Sequence, residues 1–94
     1  MYLSEGMLVR SKAGHDKNRI YVVIKTEGDY VYVADGDQRP IRNMKRKNRR
    51  HLQPILKMRA EYRQDDSYIK EILEKYARQG KGLKAEYSAA MQED

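Results

Sequence analysis

Turn-forming residues divide the first half of this 94-residue chain into short segments, and this spacing restricts the fold more than any other feature. Gly, Asp and Asn recur at 12–18, 26–29 and 35–37, between runs rich in β-branched residues. The Asp35-Gly36 pair is typical of a hairpin turn. The predicted return strand 38–42 contains Pro40, which favours an edge position in the sheet. We therefore predict a mostly β fold, a small antiparallel barrel of four or five strands. The predicted strands are 7–11, 19–25, 30–34, 38–42 and 51–55.

The core of such a barrel has to be small. The chain has no Phe and no Trp, and its eight tyrosines are its only aromatic residues. Its mean hydropathy is −1.00. The expected core residues are the apolar positions of the predicted strands: Val9, Ile20, Val22, Ile24, Val31, Val33 and Ile41, with Leu52 closing one end.

The second half predicts a C-terminal α-helix over 65–80. Ile69, Ile72, Leu73 and Tyr76 fall on one helical face, and Asp65, Asp66 or Ser67 can cap the N-terminus. We expect this face to pack on the barrel; docking on a partner protein is the alternative. The expected organisation is a barrel at 1–56, a linker at 57–64, the helix at 65–80, with Gly80 ending it, and a flexible tail at 81–94.

Positive charge is concentrated outside the helix. The net charge is +6, and residues 1–64 carry 15 Lys and Arg against 7 Asp and Glu. Seven of these cations lie between Arg39 and Arg50, with no acidic residue among them. This basic run could be a solvated loop, a localisation tag or a polyanion-binding site. Its place inside the folded region, after a hairpin, favours binding, with nucleic acid ahead of an anionic membrane surface.

The turn at 12–18 is a second candidate for ligand contact. Gly14 permits close approach of the backbone to a ligand, and Asn18 tolerates left-handed geometry. Lys12, His15 and Lys17 add hydrogen-bond donors. A polar turn with no ligand is an equally good interpretation of this stretch by itself.

Known catalytic and metal-binding patterns are absent from the sequence. His15 and Asp16 are neighbours without the further groups that a catalytic site needs, and there is no cysteine. We therefore expect no enzymatic activity, no metal, no cofactor and no small-molecule substrate. No apolar run predicts a signal peptide or a membrane span, so the expected location is the cytoplasm.

Two stretches taken together resemble a known family. "GMLVRSKAGHDKNRIYVVIK" looks like a KOW motif, and "YVYVADGDQRPIRNMKRKNRRHL" is similar to bacterial KOW-domain RNA-binding proteins related to large-subunit ribosomal proteins of archaea and eukaryotes. The likeness covers about residues 5–52. The family pattern "VxSKAGRDKGxxYVV" matches Gly14, Asp16 and Lys17. Its later part, "ADGxxR" and the basic "PKxKNxKHL", matches eight further positions: Asp35, Gly36, Arg39, Lys45, Lys47, Asn48, His51 and Leu52.

The chain departs from the family pattern at three positions of these stretches. His15 stands where Arg is common, Asn18 where Gly is usual, and Met44 where Pro is usual. Tyr21 replaces a glycine of broader KOW motifs, which favours the ribosomal-protein-like branch.

The resemblance implies an SH3-like barrel that binds RNA, with ribosomal RNA and the ribosome as candidate partners. Charge by itself does not distinguish RNA from DNA. The alternative is a protein–protein interaction module that uses the barrel and the helix. The predicted RNA contacts lie in the turn and the basic run: Lys12, Gly14, His15, Lys17, Asn18, Arg39, Arg42, Lys45, Arg46, Lys47, Asn48, Arg49, Arg50 and His51.

Overall fold

A curled antiparallel sheet and one C-terminal helix make up the protein. The computed structural model describes residues 2–61 and 65–90, and within them five strands form a sheet of order β4-β3-β2-β1-β5. This confirms the predicted fold class, a small, mostly β, barrel-like domain with a C-terminal helix. The strands are β1 (Met7–Ser11), β2 (Ile20–Glu27), β3 (Tyr30–Ala34), β4 (Lys45–Asn48) and β5 (Leu52–Arg59). Two 3-10 helices, Ile41–Asn43 and Arg49–His51, flank β4, and α1 spans Asp66–Ala90.

Alternate residues of the strands enter two separate apolar clusters, because successive side chains point to opposite faces of a sheet. The inner cluster fills the curl of the sheet and comprises Leu3, Met7, Val9, Tyr21, Val23, Val31, Val33 and Leu52. The outer cluster lies under α1 and comprises Leu8, Val22, Ile24, Ala34, Ile55, Ala60 and Ile69. Both faces of β1 and of the first part of β2 are therefore buried, whereas Lys25, Thr26 and Glu27 at the end of β2 are exposed. Most predicted core residues are buried in one cluster or the other, whereas Ile20 and Ile41 are half-buried at the edge of the outer one.

The predicted return strand at 38–42 is wrong, since the structure has a closed loop and a 3-10 helix there. Asp35 Oδ1 accepts hydrogen bonds from the backbone N–H groups of Asp37 (2.9 Å) and Arg39 (2.8 Å), which closes the loop. Pro40 then precedes the helix Ile41–Asn43 with a φ of −68°. The partner of β3 is instead β4, in the middle of the basic run that we expected to be a loop. Met44 leads into β4 with a φ of −65°, the angle that a proline ring imposes.

Helix α1 is capped and docked at its first turn. Asp65 Oδ1 accepts hydrogen bonds from the N–H groups of Ser67 (3.0 Å) and Tyr68 (3.4 Å), so Asp65 is the cap among the three candidates. Ile69 is 1% exposed, which confirms that the predicted apolar face packs on the barrel. Asp66 Oδ1 accepts a hydrogen bond from the N–H of Ile41 (2.8 Å).

Two predicted boundaries differ from the structure. Strand β5 continues to Arg59, past the expected start of a linker at 57, because residues 52–55 pair with β1 and Arg59 pairs with Met7. Helix α1 continues ten residues past the expected end at 80, since the segment that follows the two glycines is rich in Ala, Leu, Lys and Glu, which favour helix. The remainder of the predicted tail, 91–94, and residues 62–64 of the predicted linker lie outside the described residues. No helix in the described ranges combines the length and apolar character needed to cross a membrane.

Candidate nucleic-acid interface

A buried carboxylate joins the turn at 12–18 to the basic run. Asp16 is 6% exposed, and each of its oxygens has two partners. Oδ1 accepts from Ser11 Oγ (2.9 Å) and Lys47 Nζ (3.0 Å). Oδ2 accepts from Tyr21 OH (2.7 Å) and lies 3.1 Å from Lys45 Nζ. All the lone-pair positions of the carboxylate are thus used, and residues of three strands hold the turn.

Burial and hydrogen bonding act in opposite directions on the pKa of Asp16. Burial by itself raises the pKa of a carboxyl group, but the bonds from Tyr21, Lys47, Ser11 and Lys45 outweigh it and hold the pKa of Asp16 far below its ordinary value. The pKa of Tyr21 is raised, because its phenol is buried and donates to this carboxylate. Asp16 is therefore ionised at neutral pH and well into the acidic range.

The backbone of the turn has the left-handed geometry that the sequence suggested. Gly14 has a φ of +89° and Asn18 a φ of +76°. The N–H of Ser11 donates to Arg19 O (2.9 Å), and the N–H of Asn18 donates to Ser11 O (2.8 Å), which closes the turn. Asn18 can take the place of the glycine that the family pattern has here because asparagine tolerates this conformation.

A second aspartate orders the neighbouring loop. Asp35 is 9% exposed, and its Oδ2 lies 3.1 Å from Arg19 Nη2. The other terminal nitrogen of Arg19 donates to Gln38 Oε1 (2.7 Å). Asp16 and Asp35 therefore point inward and are paired, whereas Asp29 and Asp37 remain exposed. The exposed cations of this region still outnumber these two acidic residues: Lys12, Lys17, Arg42, Arg46 and Arg50.

Three predicted contact residues have structural partners. Lys47 is 8% exposed, and its ammonium donates to Asp16 and to Ala13 O (3.3 Å). Lys45 is bound to the same carboxylate. Arg49 donates through Nε (3.1 Å) and Nη2 (2.9 Å) to Gly28 O. Lys47 in particular has little surface left for a ligand.

Asn48 also has a structural role, because its Oδ1 accepts the backbone N–H of Arg50 (2.9 Å) at the start of the second 3-10 helix. Arg39 is half-buried and donates weakly to Asn43 O (3.4 Å). The other predicted contact residues are exposed: Lys12, Gly14, His15, Lys17, Asn18, Arg42, Arg46, Arg50 and His51.

Two shallow depressions lie on either side of this junction. One, of about 450 Å³, is lined mainly by His15, Arg19, Gln38, Arg39, Asn43 and Lys45, with Asp16 and Tyr21 also in its wall. The other, of about 610 Å³, is lined by Lys12, Asp29, Asn48, Arg49, Arg50 and Leu52. Strand β4 contributes Lys45 to the first and Asn48 to the second. We call the surface formed by the turn 12–18 and by residues 39–51, which include β4 and the helix Arg49–His51, the basic face.

Sequence reasoning missed the residues that build this face from beneath. The KOW resemblance includes Asp16 in the turn, but its spacing from Lys45 and Lys47 along the sequence gives no sign that they meet. Ser11 and Arg19 were predicted only as strand positions, and Tyr21 was noted only as a strand position and as a departure from broader KOW motifs. The described residues contain no group of His, Asp and Glu arranged to hold a metal ion.

Comparison with known proteins leaves the family open. No family model matches the chain, and no curated protein sequence matches it.

Proposed function

We propose that this chain is a non-enzymatic RNA-binding protein of the KOW type that works in the cytoplasm and contacts phosphates through the basic face. Ribosomal RNA is the first candidate partner. The observation that supports the proposal best is the Asp16 junction, because it joins the two stretches of the KOW resemblance into one surface.

The charge distribution of this surface suits a polyanion. Asp16 and Asp35 are buried in ion pairs, while Lys12, Lys17 and Arg50 project from ordered backbone into solvent. A backbone that is already ordered lowers the entropic cost of forming each contact. Binding would depend mainly on phosphates and shape, with limited base readout.

The structure also narrows the set of cations that can act. Lys45, Lys47 and Arg49 already have partners, so we assign phosphate contact to the remaining six cations of the predicted set: Lys12, Lys17, Arg39, Arg42, Arg46 and Arg50. With roughly 0.7 counterions released per contact on a single strand, the slope of log affinity against log salt should not be steeper than about −4.

A charge-matched pair of triple variants tests the proposal. Replacing Lys12, Lys17 and Arg50 by Gln should weaken binding to an RNA oligonucleotide and reduce the salt slope by about 2. The control replaces three exposed cations of α1, Lys70, Lys75 and Arg78, by Gln and removes the same charge.

The control triple should retain the wild-type slope. Equal losses of RNA affinity in both triple variants would show that the protein is a general polyanion binder. If the wild type does not bind RNA at low salt, the proposed RNA binding is refuted. Crosslinking followed by sequencing of the bound RNA, together with sedimentation with ribosomal subunits, tests the ribosomal assignment.

The protein-interaction alternative receives less support from the packing. The helix face that we considered for partner docking contains Ile69, which is buried against the sheet, and Ile72, Leu73 and Tyr76, which are partly buried there. A partner would have to displace the helix in order to use this face.

A further inference from the structure

Two tyrosines lie on the outer face of β3, beside the basic face. Val31 and Val33 point into the inner cluster and are fully buried, so Tyr30 and Tyr32 point the other way. Arg46 Cζ lies 4.3 Å from the ring centre of Tyr30, and Lys25 Nζ lies 4.8 Å from that of Tyr32. We call these four residues the tyrosine platform.

Tyr30 and Tyr32 belong to neither apolar cluster of the fold. Helix α1 covers Val22, Ile24 and Ala34 of the same sheet, and neither Tyr30 nor Tyr32 belongs to that cluster. Tyr30 is 38% exposed, one of three large hydrophobic side chains in the described residues that remain exposed. An exposed cation–π pair contributes little to stability, so packing accounts poorly for this arrangement.

Arg46 differs from the other cations of β4. Lys45 and Lys47 point to Asp16, whereas Arg46 alternates to the outer face and its guanidinium lies over Tyr30. Within the described residues no carboxylate lies in ion-pair contact with Arg46. The guanidinium is thus positioned by an aromatic ring while its charge and outer face stay available.

We propose that the tyrosine platform stacks unpaired bases of bound RNA. Arg guanidinium planes and aromatic rings are the surfaces on which proteins stack splayed-out bases. Residues two apart on a strand are roughly 7 Å apart, so the platform offers places for two neighbouring bases. This inference rests on the proposed function and adds that the preferred RNA has a single-stranded segment.

The platform is continuous with the basic face. Asn48 pairs with Tyr30 in the register of β3 and β4, and it also lines the depression that contains Lys12 and Arg50. A strand whose phosphates contact that depression can therefore place its next bases on the Arg46–Tyr30 pair and beside Tyr32. Tyr32 OH donates a hydrogen bond to the carboxylate of Glu27 (3.1 Å), which holds that carboxylate at the edge of the Tyr32 ring.

Removal of the rings tests the proposal. Tyr30→Thr and Tyr32→Thr keep strand-forming residues at both positions, and each should weaken binding to a uridine oligonucleotide about 5- to 150-fold. Binding to a perfectly paired RNA duplex and the salt slope should not change. Tyr2→Thr removes a ring that is 80% exposed elsewhere and is the matched control.

A fluorescent variant gives a readout that does not depend on affinity. The chain has no Trp, so Tyr30→Trp introduces a single indole, whose emission a stacked base should quench. Tyr2→Trp should not be quenched. Melting curves of every variant identify any that fail to fold, and Tyr30→Leu provides a second ring-free variant in that case.

The possible outcomes separate this inference from the proposed function. If the wild type binds neither the oligonucleotide nor the duplex at low salt, the proposed function fails. If it binds the oligonucleotide but the ring-free variants bind equally well, or Tyr30→Trp is not quenched, the platform is refuted and RNA binding remains.

Discussion

Replacing Asp16 by Asn should be the most damaging single change to the basic face. The amide has nearly the same shape as the carboxylate, so packing is kept, but the charge that Lys47 and Lys45 share is lost. Lys47, which is 8% exposed, would then be buried without an opposite charge. Breaking a buried ion pair from one side costs about 3–5 kcal/mol, a large part of the roughly 5–15 kcal/mol of a typical domain.

Substitutions of Lys47 and Lys45 should lower the free energy of unfolding by less than Asp16→Asn does, and the loss should be larger for Lys47 than for Lys45. Lys47→Met leaves Asp16 with three partners and removes one charge-assisted hydrogen bond, for about 1.5–3 kcal/mol. Lys45 has a side chain that is 29% exposed. Lys45→Met should therefore cost about 1 kcal/mol or less, as is usual for an ion pair near solvent.

Urea denaturation followed by circular dichroism measures this order, with the double variant Asp16→Asn/Lys47→Met closing a thermodynamic cycle. The double variant should be less destabilised than the sum of the two single variants. Additive costs, or a cost for Lys45→Met above that for Asp16→Asn, would refute the view that one buried carboxylate organises this face. Lys47→Met should also leave the salt slope of RNA binding unchanged.

Two further predictions concern acid stability and helix docking. The pKa of Asp16 is lowered in the folded state, so its contribution to stability is present above about pH 4 and is lost as pH falls through the folded-state pKa. The difference in stability between wild type and Asp16→Asn, read from urea midpoints, should therefore narrow as pH falls below about 4. A constant difference would contradict a lowered pKa for Asp16. Gly36→Ala should lower the free energy of unfolding by about 2–5 kcal/mol through backbone strain and overpacking, since a Cβ there would strike Asp66 O and lie 2.8 Å from Lys70 N. The control is Gly28→Ala, which has a positive φ of +60° and open space around it and should lose only the strain of about 1–2 kcal/mol. Equal losses of stability in thermal melts of the two variants would argue against close packing at Gly36.

The sequence predicts the mostly β class and the helix face, because both depend on periodicity that the apolar residues display. Strand β4 was missed for an identifiable reason. A half-buried strand normally alternates apolar and polar residues, but in "KRKN" the inward positions are Lys45 and Lys47. Their burial is made possible by Asp16, 31 residues away from Lys47, and no local pattern reports such a partner.

The same limit applies to the candidate site. Gly14 and Asn18 could be placed in a turn because a positive φ has local sequence preferences. Which lysines face inward could not be predicted, since it depends on the register of β4 with β3. The platform was not predicted, because the alternation that places Tyr30 and Tyr32 on one face of β3 does not show which part of that face α1 leaves uncovered.

The Asp16 junction also determines the order in which the protein can mature during synthesis. Hairpin β1–β2, which contains Asp16, Ser11 and Tyr21, is synthesised before β4, and the two lysines that pair with the carboxylate follow Asp16 by about thirty residues. Until then the turn lacks the cations that compensate for burying its charge. We therefore expect the turn to gain its full set of partners only when β4 has been made, and a fragment that ends before β4 to hold Asp16 through Ser11 and Tyr21 alone.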